Sequence, residues 1–189
     1  MANILDEVSK KLPEDAKISE MCFEAANIIL YTKNKEFFLN NNGFIKDIVN
    51  DIKKRVELRP DPSIVMEMEK AQEIIEAIFP KEAGVNNIIF DPQRSRVIIE
   101  AEKPGLAIGK AGSILKEIRE QTLWVPTIRR TPAIKSKIID SIRHVLYENN
   151  DERKKFLNRV GKRIYDGWIR AKKSEWVRLT FLGAGRDSA

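Results

Sequence analysis

Phe79-Pro80-Lys81-Glu82-Ala83-Gly84-Val85-Asn86-Asn87-Ile88-Ile89-Phe90 aligns with Leu12-Pro13-Glu14-Asp15-Ala16-Lys17-Ile18-Ser19-Glu20-Met21-Cys22-Phe23, 67 positions earlier. Working outward, Val97-Ile98-Ile99 matches Ile28-Ile29-Leu30 at an offset of 69, and Gly112 matches Gly43 at 69. Pro132 and Ile134 match Pro62 and Ile64 at 70. The offset drifts only where loops are expected. Its first change coincides with Asp91-Pro92-Gln93-Arg94-Ser95, a turn-forming composition. Self-similarity at a nearly fixed spacing marks a duplicated structural unit, here of about 65 residues.

Each unit reads the same way. Ile4, Leu5, Val8 and Leu12 in the first, and Ile74, Ile75, Ile78 and Phe79 in the second, recur at helical spacing and predict an amphipathic helix. Pro13 or Pro80 then stops it. Runs rich in β-branched residues over about 17–23 and 27–32, and again over 85–91 and 95–101, predict a hairpin in each unit. A short helical turn, a glycine-containing loop and a longer helix follow. That helix is lined by Ile45, Ile48, Val49 and Ile52, or by Ile114, Leu115 and Ile118. A closing strand over 55–59 or 123–129 completes the order α-β-β-α-α-β. The fold class is therefore α+β, with the helices of each unit on one face of a three-stranded sheet.

Beyond Pro132 the pattern changes. Ile134, Ile138, Ile142, Val145 and Leu146 predict one amphipathic helix, and Asn149-Asn150-Asp151 a break and N-cap. Phe156, Val160, Ile164 and Trp168, four apart, predict a second. Residues 175–182 alternate like a strand and run into Gly183-Ala184-Gly185, which is expected to open a further domain.

Composition narrows the function. A chain of 189 residues with 42% hydrophobic and 33% charged side chains is globular. No apolar run approaches the roughly 18 residues of a membrane helix, and the first residues lack a signal peptide's pattern. Cys22 is the single cysteine and His144 the single histidine. No intrachain disulfide is possible, which fits a cytoplasmic protein, and most zinc sites and nucleophile–base triads are excluded. Cys22 is expected as a core thiol. Trp124, at the head of a strand, is expected in sheet packing.

The net charge of +6 hides a partition. Residues 1–102 carry −5 and residues 103–189 carry +11. Within 103–137, Lys103, Lys110, Lys116, Arg119, Arg129, Arg130, Lys135 and Lys137 stand against only Glu117 and Glu120. This basic segment surrounds Ala107-Ile108-Gly109-Lys110-Ala111-Gly112-Ser113-Ile114. A Gly-x-x-Gly spacing alone says little, but here it joins two helical segments inside an α-β-β-α-α-β unit. Absent side chains would let a nucleic-acid backbone approach, with helix-start amides and Lys110 facing its phosphates.

On these residues the chain resembles the KH family of single-stranded nucleic-acid binders, in the type II order. The resemblance implies that Gly109-Lys110-Ala111-Gly112 clamps the backbone of about four nucleotides. It also implies an apolar base groove formed by Leu106, Ile108, Ile114 and part of Ile98. Lys103, Gly105, Ser113, Lys116, Arg129 and Arg130 complete the expected RNA-binding set. The first unit departs from this pattern. Leu39-Asn40-Asn41-Asn42-Gly43 aligns with 108–112, so the first glycine and the lysine are lost. A KH-like fold without a working clamp is expected there.

The whole chain is similar to the N-terminal region of archaeal relatives of cleavage and polyadenylation specificity factor. These are β-CASP ribonucleases of the metallo-β-lactamase superfamily, acting in transcription termination. Arg55-Val56-Glu57-Leu58-Arg59-Pro60-Asp61-Pro62-Ser63, Lys103-Pro104-Gly105-Leu106-Ala107 and Arg129-Arg130-Thr131-Pro132 carry much of that similarity. Trp176-Val177-Arg178-Leu179-Thr180-Phe181-Leu182-Gly183 is similar to the first strand of the nuclease domain.

The resemblance implies a degenerate KH-like domain over 1–65 and a KH domain over 66–132. A helical connector over 133–174 and the start of a truncated nuclease domain over 175–189 follow. It implies single-stranded RNA as partner, RNA polymerase or elongation factors as further partners, and a homodimer made through parts outside this chain. Two zinc ions are expected only in the nuclease domain. No catalytic residue, metal ligand or cofactor is expected within these 189 residues. The competing expectation is a protein-interaction scaffold docking on the transcription machinery.

Overall fold

The computed structural model describes residues 4–40, 43–132, 136–148 and 150–166, and in it the sequence repeat is a structural one. The first unit runs through α1 (Ile4–Lys11), β1 (Ile18–Glu24), β2 (Asn27–Thr32), α2 (Lys35–Leu39), α3 (Phe44–Ile52) and β3 (Val56–Pro60). The second follows the same course through α4 (Met68–Ile78), β4 (Val85–Asp91), β5 (Arg96–Ala101), α5 (Pro104–Ile108), α6 (Ser113–Thr122) and β6 (Val125–Arg130). Two more helices, α7 (Lys137–Glu148) and α8 (Asn150–Asp166), complete the described chain. Among the described residues no helix is long and apolar enough to cross a membrane. The strand expected over 175–182 lies outside the described residues.

Each unit forms its own three-stranded sheet, ordered β1-β2-β3 and β4-β5-β6. The first pair of strands is antiparallel and the second parallel in both. Even the irregularities repeat: a register shift between Ile18 and Glu20 recurs between Val85 and Asn87. The closing strands begin later than the apolar pattern predicts. Lys53 and Leu123, with φ of 56° and 62°, end α3 and α6 in the left-handed region. The chain turns through the next residues before it can pair, so the strands start at Val56 and Val125.

Strand alternation divides each sheet into two faces. Ile28, Leu30 and Leu58 point to the helices with Phe38 and Ile48, while Val97, Ile99 and Ala101 do so with Ile75 and Ile118. Full burial of Ile28, Leu30, Ile75 or Ile99 is worth about 1.5–3 kcal/mol each. Cys22, Ile29 and Tyr31 form a small cluster on the opposite face. Cys22 is thus a buried thiol, and burial raises its pKa above the ordinary value. Trp124 is 1% exposed, donates from Nε1 to the Met66 carbonyl at 2.9 Å and meets Phe90 edge-on. It is a packing residue.

The two units share a seam. Leu123 and Val125 belong to the second unit in sequence but pack into the core of the first, and Val65 touches both cores. Polar groups cross as well. Arg59 grips Glu57 through two 2.9 Å hydrogen bonds and reaches Glu24 at 2.5 Å. Glu24 in turn pairs with Arg94 and lies 3.8 Å from Arg96, both from the second unit.

α8 covers the free edge of β1, where an open strand would otherwise present unpaired backbone groups. The Ala25 N–H donates to the Leu157 carbonyl at 3.2 Å and the Phe23 N–H to Asn158 Oδ1 at 3.1 Å. Tyr165 stacks on Phe23 with ring centroids 4.9 Å apart. Lys154 pairs with Glu20 at 2.7 Å and sits over the Tyr31 ring. Part of the basic charge of 138–189 is therefore engaged with the first unit.

Candidate nucleic-acid interface

The loop between α5 and α6 takes its shape from its glycines. Pro104 occupies the first turn of α5, where its missing N–H costs nothing. The helix stops after one turn because Gly109 adopts φ 76° and ψ 174°, a region essentially restricted to glycine. A Cβ there would lie 2.7 Å from Ser113 Oγ and 2.9 Å from Ile114 Cγ1. Gly112, at φ 77° and ψ 22°, faces open space. Ala111 is also left-handed, at φ 51°. Gly109 is therefore required by conformation and packing together, whereas at Gly112 the left-handed backbone only favours glycine.

The loop ends at the start of a ten-residue helix. Gly112 is the N-cap of α6 and no side chain caps it. The Gly112 and Ser113 N–H groups turn back to the Gly109 and Lys110 carbonyls, and the positive end of the helix dipole faces the loop. Lys110, Ala111 and Ser113 are exposed beside them.

Most of the predicted binding residues fall together. Gly105, Leu106, Ile108, Lys110, Ala111 and Ser113 are exposed along one segment, with Leu106 at 45% and Ile108 at 37%, while Ala107 between them is buried in the core. Lys103 is the N-cap of α5, and Lys116 lies one turn into α6, 3.7 Å from Glu120. Arg130 pairs in register with Ala101, a residue of the helix-facing core, and shares that face. Arg129 pairs with Glu100, and alternation places it on the opposite face of the sheet.

The groove differs from expectation. Ile98 is 4% exposed and lies on the sheet face away from the helices, because its neighbours Val97 and Ile99 fill the core. Ile114 packs against that core beneath Gly109. The groove present beside the loop has a volume of about 410 Å³ and runs between α6 and β6. Gly112, Leu115, Lys116, Val125 and Pro126 line it, together with Leu39 from the first unit. Its β6 wall had no signal in the repeat pattern, since Val125 and Pro126 read only as strand residues. Leu39 could have been found only as the counterpart of Ile108.

Arg119, counted with the basic segment, is turned to the first unit. Its Nη2 donates to the Phe38 carbonyl at 2.7 Å and its guanidinium lies 4.1 Å over the Phe38 ring. Burial lowers its pKa from the ordinary arginine value, partly offset by the charge of Glu57. In the first unit, Asn40 stands where Gly109 stands in the second, but has φ −136° and ψ 87°. The Asn34 side chain accepts from the Phe37 N–H and caps α2, unlike α5. The two loops therefore start differently, at Asn40 and Gly109, and end alike, with Gly43 and Gly112 both left-handed.

Residues 1–65 match the family described as transcription termination factor FttA, KH domain, and residues 70–122 match the KH domain family. The chain carries two KH domains. The KH tandem is also homologous along its length to full proteins named transcription termination factor FttA. It is 42% identical to that of Pyrococcus abyssi over 95% of this chain. It is 42% identical to that of Methanocaldococcus jannaschii and 43% to that of Methanothermobacter thermautotrophicus, each over 99% of this chain. The KH tandem spans only 28–30% of the length of these relatives. The crystal structure of APE1850 covers 66% of this chain at 17% identity, with a TM-score of 0.28. Among the described residues no group of three or more His, Cys, Asp or Glu is arranged to hold a metal.

Proposed function

We propose that this KH tandem binds single-stranded RNA through its second unit. In this reading it positions the transcript for cleavage by a zinc-dependent β-CASP ribonuclease during 3′-end formation and transcription termination. The observation that carries the RNA-binding step is the loop itself. Gly109 holds a conformation closed to other residues, Gly112 leaves the start of α6 uncapped, and Lys110 stands exposed beside both. Backbone phosphates are the ligands that the positive end of a helix and an exposed ammonium would take. Lys103, Lys116 and Arg130 extend the positive surface on the helix side. The named relatives supply the setting: they are termination factors, and this chain corresponds to less than a third of their length. The nuclease step is assigned to no residue described here.

The first KH unit then serves as a support, fused to the second by the shared seam. A second reading, a scaffold for RNA polymerase or elongation factors, is favoured by α7. Ile138, Ile142 and Val145 are each more than half exposed on one helical stripe, an arrangement suited to a protein contact. A filter-binding titration with single-stranded RNA at several salt concentrations tests the two. Saturable binding that weakens steadily as salt rises is expected from phosphate contacts. Absence of saturable binding at about 0.15 M salt would favour the scaffold.

A further inference from the structure

We infer that the base-binding groove is composite: the first KH unit, although its own clamp is lost, supplies one wall of the groove that serves the second. This inference rests on the RNA-clamp reading above and deepens it. The groove opens at Gly112, the last residue of the clamp loop, so a strand whose backbone lies on that loop has its next bases over the groove. Leu115 of α6 and Val125 and Pro126 of β6 give it an apolar floor, and Arg119 and Glu120 of α6 add charged groups to its lining. Leu39 closes it from the first unit. Lys116 stands at the rim, exposed, with Glu120 3.7 Å away, so a phosphate would meet it in competition with that carboxylate. A slot with an apolar floor, continuous with the loop that carries Lys110, fits a nucleobase whose flat face is buried and whose sugar-phosphate stays outside.

Leu39 is held in this place by more than proximity. It is the last residue of α2, the position that Ile108 occupies at the end of α5. Phe38, its neighbour, is fully buried and receives the Arg119 guanidinium from α6, the helix that forms the opposite side of the groove. The wall and the helix are therefore tied together one residue away from the wall. Leu39 itself is 39% exposed and absent from the first core, so it is available to a ligand.

Phosphate contacts hold a strand without reading it, whereas contacts to bases discriminate. The two contributions separate in one experiment on the full chain, using single-stranded oligo(U) and oligo(A) of equal length. Lys110→Asp with Ala111→Asp removes affinity for both. Leu39→Ala widens the groove and shifts the affinity ratio toward oligo(A) by about fivefold, while Leu39→Phe narrows it and shifts the ratio the other way. Both Leu39 variants keep the wild-type melting temperature. If the clamp variant binds like wild type, the RNA-clamp reading fails. If the clamp variant loses binding while both Leu39 variants keep the wild-type ratio, the composite wall is overturned and the clamp stands. In that case the groove is left to a protein contact.

Discussion

Arg119 of the second unit lies 4.1 Å over the ring of Phe38 in the first and donates 2.7 Å to its carbonyl. The helix that begins at Gly112 is thereby fastened, two turns later, to the first unit. Cation–π stacking contributes about 0.5–2 kcal/mol. A hydrogen bond from a charged donor contributes roughly 1.5–3 kcal/mol.

Arg119→Ala is expected to lower stability by about 2–4 kcal/mol in urea denaturation. Arg119→Lys should recover less than half of that loss, because an ammonium lacks the flat guanidinium that stacks and donates at once. Full recovery by lysine would show that charge alone makes the contact.

Glu24 collects three arginines from two units: Arg59, Arg94 and Arg96. Its side chain is 14% exposed, and that of Arg59 only 1%. Removing one partner from a buried ion cluster strands the others. Glu24→Gln should therefore cost about 3 kcal/mol, read as a melting temperature lower by roughly 6–12 °C. An unchanged melting temperature would mean that the cluster does not hold the units together.

Gly109 and Gly112 should respond unequally to alanine. Gly109→Ala meets both a glycine-only backbone region and a Cβ 2.7 Å from Ser113 Oγ, and should cost about 2–3 kcal/mol or more. Gly112→Ala meets only a left-handed backbone in open space and should cost about 1 kcal/mol. Urea melts of the two variants give the order directly.

Much of this fold is legible in the sequence because the repeat doubles every signal. The proline after the first helix, the alternating strands and the glycine before the long helix each occur twice, and each locates an element. The loop was legible for a different reason, since Gly109 and Gly112 are constrained locally and Gly109 has no counterpart in the first unit. What a one-dimensional pattern does not carry is which face of one unit meets the other. Arg119 and Lys116 look alike as helix cations, yet one is used between units and the other is exposed. Ile98 looks like a groove residue until strand alternation places it on the far face. Leu39 looks like a leftover from a decayed loop, and its place in the neighbouring groove depends on the packing of two cores.

Acid should loosen the seam through Glu57. Burial alone would raise its pKa, but the hydrogen bond and charge of Arg59 outweigh burial and hold it below the ordinary 4.5. A carboxylate with a depressed folded pKa adds stability that is complete above the unfolded value and lost as pH falls through the folded one. Asp91 runs the other way, since burial raises its pKa and its protonation on acidification relieves a cost. The melting temperature of the wild type should therefore fall between about pH 5 and pH 3, and that of Glu57→Gln should fall less over the same range. Parallel curves would rule out Glu57 as a source of the acid sensitivity.

The central claim is that the loop from Gly109 to Gly112 holds the RNA backbone. Replacing Lys110 and Ala111 together by Asp sets two negative charges on exposed loop positions without touching either glycine or the core. The decisive measurement is the affinity of this double variant for single-stranded RNA, taken beside its circular dichroism spectrum and melting temperature. Loss of saturable binding with a wild-type spectrum and melting temperature is the predicted result. Wild-type affinity in a folded double variant would contradict it.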